Sequence, residues 1–322
     1  MTPEQRQAWI AERRNYIGGS DVAAIIGQHP YRSRITVWRE KTGQVEPPNI
    51  TDLTDEDEFS EPAYWGVADE DNVARRFTEE TGLSVKRKNI PLQHKEYAFL
   101  RGNIDREGRD AEGKRFVLEC KTTTEFNRKE WELDKIPVFY ELQVLFYLIL
   151  GNYDYGWIAC RIGNSNFVKK RIERDHEMEE FIVGACVRFW NEFVATYTEP
   201  PTDPTKDCKQ ALAEMHPPNA GSYQAIDDPE YDRTVEAYFE ADAKKKEYEK
   251  QADGYKNALR QMQGDIETLS SKTYKTTCKM QRRENFDISK YKEEHPDATC
   301  EYIKVNEFEV FTPRKISQKG GK

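Results

Sequence analysis

No two of the six cysteines lie close in sequence: Cys120, Cys160, Cys186, Cys208, Cys278 and Cys300 are scattered. Zinc ribbons and iron–sulfur clusters need closely spaced thiols, so both are disfavoured, and no disulfide framework is expected. Such cysteines suit the reduced thiols of a cytoplasmic protein. Long hydrophobic runs are missing as well. The longest, Val138 to Leu150, is interrupted by Glu141 and Gln143 and is too short to cross a bilayer. No stretch at the start reads as a secretion signal, so a cytoplasmic location without a membrane partner is expected. An excess of positive charge is lacking too, because the net charge is −9. This argues against a uniformly basic nucleic-acid coat, but leaves room for a localised basic channel.

What is present suffices for a core: 37% hydrophobic and 12% aromatic residues. The 322 residues fit one domain of roughly 200 residues plus an appendage. Alternating helical and strand patterns run to about residue 205 and predict one α/β layer arrangement. The predicted elements are helices at 3–14, 20–27, 35–42, 65–82, 137–150 and 175–197, and strands at 85–90, 97–105, 115–121, 155–162 and 166–172. Residues 44–62 read as an acidic loop, and 206–228 as a linker. From 229 to 322 the character changes to a charged extension. It holds a long charged helix or a helical hairpin over 231–269 and two or three strands, near 274–280, 300–305 and 308–311.

The chemistry centres on Arg115-Phe-Val-Leu-Glu-Cys-Lys121. As a strand it places Phe116 and Leu118 on one face, and Val117, Glu119 and Lys121 on the other. Asp110 to Lys114 is turn chemistry, so 97–105 and 115–121 are expected to pair as a hairpin, with Asp105 ending the first strand. Two carboxylates and an ammonium on adjacent strands are the donor set of a metal-dependent phosphodiester hydrolase. Hard oxygens suit Mg²⁺ or Mn²⁺, and the lysine can deprotonate water or offset phosphate charge. The spacing alone singles nothing out. The same acid-x-lysine pattern occurs at Glu112, Asp207 and Asp242.

Three further stretches carry candidates. Gly18-Gly19-Ser20-Asp21 reads as a turn and capped helix start, either an ordinary cap or an anion site to which Arg13 adds charge. Glu70 shares a helical face with Val73, Ala74 and Phe77. There it either reaches solvent at the rim or needs a partner or a metal. Gln143 lies where an apolar helix packs on the sheet, on one face with Tyr140, Val144 and Tyr147.

Taken in order, these pieces resemble the YqaJ-like viral recombinases, relatives of the phage lambda exonuclease within the PD-(D/E)XK nuclease superfamily. The matching residues are Arg13-x-x-x-Ile17-Gly18-Gly19-Ser20-Asp21, Pro30-Tyr31, Trp65-Gly66, Glu70 and Phe77. They continue with Asp105, Glu119-Cys120-Lys121, Ile136-Pro137, Tyr140-x-x-Gln143 and Phe189-Trp190. The resemblance implies a restriction-endonuclease-like core, a central mixed sheet flanked by helices, over 1–205, with the helical and β extension beyond. It implies a 5′-to-3′ exonuclease on double-stranded DNA, a ring-shaped homotrimer and a single-strand annealing protein as partner. Asp105, Glu119 and Glu70 then correspond to ligands of two Mg²⁺ ions, Lys121 to the catalytic lysine, and Gln143 to the glutamine completing the site. Arg13 and Ser20 correspond to the 5′-phosphate pocket. Asn103 stands where the lambda enzyme has a phosphate-contacting serine. An endonuclease of the same fold and a non-catalytic DNA-binding module remain the alternatives.

Overall fold

The computed structural model describes residues 8, 11–45, 61–132, 135–282, 288–295 and 313. The chain divides into two compact units, Met1–Pro217 and Pro218–Lys322. In the first, helix α1 (Gly19–Ile26) closes on Gly27, whose φ of 79° is in the left-handed region that favours glycine. Helix α2 (Arg34–Lys41) is capped by Ser33, whose hydroxyl accepts from the Thr36 N–H at 3.1 Å. Helix α3 (Glu61–Thr81) starts ahead of its expected beginning. Five strands follow: β1 (Val85–Arg87), β2 (Leu92–Gln93), β3 (Arg101–Gly102), β4 (Arg106–Arg109) and β5 (Arg115–Thr123). Then come helix α4 (Val138–Gly151), strands β6 (Tyr155–Ile162) and β7 (Asn166–Glu173), and helices α5 (His176–Phe189) and α6 (Lys206–Met215).

The central sheet has the order β1-β4-β5-β6-β7. Only β5 and β6 pair in parallel. A parallel pair needs a crossover, and α4 supplies it. The sheet is therefore mixed and covered on both faces, the restriction-endonuclease-like arrangement expected. Alternation along β5 divides the core. Phe116, Leu118 and Cys120 pack with Val73, Ala74 and Phe77 of α3. Val117 faces the other way, into the larger core with α1, α4 and α5. Helix α4 is apolar nearly all round because it is enclosed between the sheet and these helices.

Two expectations are corrected. The segment 97–105 is not the hairpin strand. The Ile17 N–H donates to Phe99 O at 2.7 Å and the Arg101 N–H to Ile17 O at 3.0 Å, while Arg101 and Gly102 pair with β2. With those backbone groups satisfied elsewhere, the strand that joins β5 begins only at Arg106. Asp105 thus precedes a strand instead of ending one. The expected turn at Asp110–Lys114 does form, with the Lys114 N–H donating to Asp110 Oδ1 at 2.9 Å. Second, the stretch read as a linker contains α6. Its Cys208 and Ala211 pack with Ile35 of α2, and Asp207 Oδ2 accepts from the Thr36 hydroxyl at 2.6 Å.

The second unit holds helix α7 (Pro229–Gln263), a β8 (Thr268–Ser270)–β9 (Lys275–Thr277) hairpin and helix α8 (Ile288–Glu294). The long charged helix expected over 231–269 ends at Gln263, whose amide donates to the Ile266 and Glu267 carbonyls, both at 2.9 Å. The strands expected near 300–305 and 308–311 lie outside the described residues. Among the described residues no helix is long and apolar enough to cross a membrane.

Candidate active site

The register Arg106↔Leu118 sets Asp105 beside the end of β5 that carries Glu119. Asp105 Oδ2 accepts the Cys120 N–H at 2.7 Å, which fixes its carboxylate against that strand. Glu119 and Lys121 project from the Val117 face, as period-two alternation requires. Here they meet α4. The Lys121 ammonium donates to Glu119 Oε1 at 2.7 Å and to Gln143 Oε1 at 3.2 Å. The Gln143 amide donates to the same Glu119 oxygen at 2.8 Å and to the Tyr147 hydroxyl at 3.0 Å. Tyr140, one turn before Gln143, places its ring 4.8 Å from the Lys121 ammonium, a cation–π contact. Glu119, only 3% exposed, uses one oxygen for all of this. Its Oε2 is buried without a hydrogen-bond partner.

The charges are coupled. Burial pushes the Asp105 carboxyl well above its usual range; Glu119 and Glu70 add to the rise and Lys121 opposes it. Burial would lower the Lys121 ammonium, but Glu119 and Asp105 outweigh it and hold the group firmly charged. An acid strained toward protonation and an orphaned carboxylate oxygen are what a hard cation relieves. The residues present therefore fit a divalent ion held by Asp105 and Glu119. Among the described residues, no group of three or more His, Cys, Asp or Glu side chains is arranged to hold a metal.

Glu70 is the residue not brought into that pair. Helix α3 covers the opposite face of the sheet, where Arg106 of β4, only 3% exposed, lies against it. The Arg106 guanidinium hydrogen-bonds Glu70 and Asp71. Glu70 has thus found a partner, as a part-buried carboxylate must, and the partner is an arginine. Neighbouring Asp69 is engaged by Arg161.

Arg13 and Ser20 are brought together: Arg13 Nη2 donates to Ser20 Oγ at 2.7 Å. Behind them lies a network centred on Asp21, which is 0% exposed. Its Oδ1 takes Arg32 Nη1 at 2.7 Å, and its Oδ2 takes Lys41 Nζ at 2.8 Å and the Gly18 N–H at 2.9 Å. Arg13 lies 3.7 Å away. Burial alone would raise the Asp21 carboxyl; Lys41, Arg32 and Arg13 outweigh it and hold the group far below the usual carboxylate range. Asn103 is half-buried, two residues before Asp105.

Sequence reasoning placed Tyr147 on the Gln143 face without giving it a role, and missed Arg106 and the Lys41–Arg32 support of Asp21. Tyr147 had a signal, since it lies one turn past Gln143. The others rest on contacts distant in sequence.

Residues 8–154 match the YqaJ-like viral recombinase domain. The chain is 33% identical over 315 residues to an uncharacterized protein, YqaJ, of Bacillus subtilis, covering 97% of this chain and 95% of that one. Among solved structures it is similar to an alkaline exonuclease from Laribacter hongkongensis: 19% identity, TM-score 0.48, 65% of this chain and 98% of that one. A phage-related exonuclease from Haemophilus somnus is similar at 15% identity and TM-score 0.37, over 56% of this chain and 96% of that one. Fold and site together define a mixed-sheet protein with paired carboxylates and a lysine on one sheet face. The chain belongs to the YqaJ-like viral recombinase family.

Proposed function

We propose that this protein is a Mg²⁺-dependent exonuclease that degrades linear double-stranded DNA from 5′ ends, leaving 3′ single strands for phage-type recombination by single-strand annealing. The observation that carries the reading is the Asp105–Glu119–Lys121–Gln143 cluster, with Glu119 Oε2 buried and unpartnered. Asp105 and Glu119 are the metal ligands; Mn²⁺ meets the same oxygen donors. When bound, the ion supplies Lewis-acid chemistry to a phosphodiester. Lys121, beside Glu119, either orients or deprotonates the attacking water or offsets charge at the reacting phosphate. Gln143 holds Glu119 and Lys121 in fixed relation. Glu70 joins the ligands of a second ion only where Arg106 releases it.

Arg13 and Ser20 receive the terminal phosphate. A dianion at a strand end matches a guanidinium and a hydroxyl near a helix start better than an internal phosphodiester with one charge less. The Asn103 amide can donate to the same strand. A homotrimer around the DNA and an annealing protein as partner complete the reading.

The test is release of acid-soluble nucleotides from linear 5′-phosphorylated duplex with Mg²⁺, beside a covalently closed circle and an EDTA control. Release from the linear substrate alone, abolished in Glu119→Gln, is expected. Equal attack on the circle identifies an endonuclease, and no release by the wild type overturns the assignment.

A further inference from the structure

A cleft of about 560 Å³ opens at the β1–β4 edge of the sheet, with Lys86, Lys88, Glu107, Arg109 and Arg115 among its lining residues. Four cations face one carboxylate there. Glu107 lies 3.5 Å from Lys86, 3.4 Å from Lys88 and 3.9 Å from Arg115, and accepts the Tyr153 hydroxyl at 2.7 Å. Four positive charges less one leave a surplus of three within the cleft. Lys86 is 77% exposed, so its charge is open to a ligand from solvent.

The cleft's position ties it to the site. Along β4, Glu107 and Arg109 point to one side of the sheet and Arg106 to the other; Asp105, one residue ahead of the strand, has Glu119 and Lys121 of the first side among its charged neighbours. Lys86 pairs with Glu107 and Arg87 with Arg106. Lys86 therefore lies on the Glu107 side, and Lys88, one residue past β1, reaches the same carboxylate at 3.4 Å. Arg87, on the other side, goes to Asp71. The basic row thus begins beside the carboxylate pair and runs along the same face for about 13 Å, four residues of strand.

We propose that this cleft binds the sugar–phosphate backbone of the nucleic-acid strand whose reacting phosphate lies at Asp105 and Glu119. This rests on the function proposed above and adds a second phosphate-binding region, separate from the Arg13–Ser20 pocket. An acidic segment of a protein partner meets the charge requirement alone. Only the substrate's own backbone explains why the row is continuous with the carboxylates on one sheet face.

The experiment compares wild type with Lys86→Gln/Lys88→Gln/Arg109→Gln. Arg115 is kept, because its guanidinium stacks on Tyr153 at 4.5 Å and donates to the Gly151 carbonyl. Binding to a 5′-phosphorylated duplex is followed by fluorescence anisotropy over a salt series, with Ca²⁺ in place of Mg²⁺. Single-turnover cleavage at saturating enzyme is measured in parallel with Mg²⁺. The triple variant is expected to bind at least about tenfold more weakly near physiological salt. Its log–log salt slope should be shallower by about 0.9 for each phosphate it no longer neutralises, or roughly 2–3 in all. Its saturating cleavage rate should match wild type, and the single variant Lys86→Gln should show a fraction of the same slope change. A triple variant that binds with the wild-type slope overturns the cleft, even where wild type cleaves DNA. A wild type that neither binds nor cleaves nucleic acid overturns the function on which it rests.

Discussion

Replacing Asp21 with asparagine keeps the side chain's volume and removes its charge. In the folded protein that charge answers Lys41, Arg32 and Arg13. The three do not lose equally. Arg32 keeps Glu40 at 2.5 Å, and the Arg13 side chain is 31% exposed, so water screens much of its loss. Lys41 is the costly partner, because its side chain is 1% exposed and its remaining acceptor is the Arg13 carbonyl at 2.8 Å. Breaking a buried pair by removing one partner costs about 3–5 kcal/mol. With the Gly18 N–H still able to find the asparagine carbonyl, the lower end, about 3 kcal/mol, is expected.

Urea unfolding measures this. All six tryptophans precede residue 217, so their fluorescence reports the first unit alone. With a slope of about 1–3 kcal/mol per molar urea, the midpoint of Asp21→Asn should fall by roughly 1–3 M. The pH dependence is distinctive. The folded Asp21 carboxyl is held below its unfolded value. Its contribution is therefore full above the unfolded pKa of about 3.9 and is lost as pH falls below it toward the folded one. The gap between wild type and Asp21→Asn should hold constant from pH 8 to about 5 and narrow only below about 4. An unchanged midpoint at pH 7, or a gap that closes between pH 7 and 5, refutes the reasoning.

Other perturbations separate the parts of the site. Lys121→Ala should lose cleavage while retaining divalent-ion binding by calorimetry; wild-type rates would remove the lysine from the chemistry. Arg13→Ala should lose roughly ten- to hundredfold of the preference for 5′-phosphate over 5′-hydroxyl ends, the worth of a charge-assisted hydrogen bond of about 1.5–3 kcal/mol, read from degradation rates on the two ends. Tyr147→Phe keeps the ring and removes one neutral hydrogen bond to Gln143, so cleavage should slow by roughly five- to tenfold with the end preference intact. The mass in solution should be near three times 37.7 kDa; a monomer that still degrades long duplexes processively removes the ring.

The sheet faces are legible in the sequence because alternation is a local property. Val117, Glu119 and Lys121 fall opposite Phe116 and Leu118 by period alone, and both cores follow from it. Helix α4 and its Gln143 are legible for the same reason. Pairing partners are not. Nothing near Leu100 states that its neighbours will bond to Ile17, so the residue pattern places the strand before Asp105 too early. The helical face of Glu70 follows from its spacing, but its partner Arg106 lies 36 residues on. A carboxylate's need for compensation is visible in sequence, while the identity of what compensates it is a tertiary fact. Helix α6 is hidden by its proline-rich approach, and its anchors on Ile35 are contacts across most of the unit.

Gly19 and Gly102 carry the remaining lesson. Gly19 reads as a turn glycine and Gly102 falls within the segment read as a strand, yet both answer to one side chain. A Cβ on Gly19 would stand 2.7 Å from Tyr147 Cε1, and a Cβ on Gly102 would stand at the same distance from the same atom. The ring is clamped between the start of α1 and the end of β3. Gly19 immediately precedes Ser20 and Asp21, which hold Arg13; Gly102 lies three residues before Asp105. The hydroxyl of the same ring accepts from Gln143, which holds Glu119 and Lys121. Tyr147 therefore ties the Arg13 pocket, the approach to Asp105 and the Lys121 cluster into one packed body. Close-packed interiors transmit displacement instead of absorbing it. Under the proposed function, a phosphate at Arg13 would therefore sit at a fixed offset from Asp105 and Glu119, and the packing of Tyr147 would help set which phosphodiester meets the carboxylates.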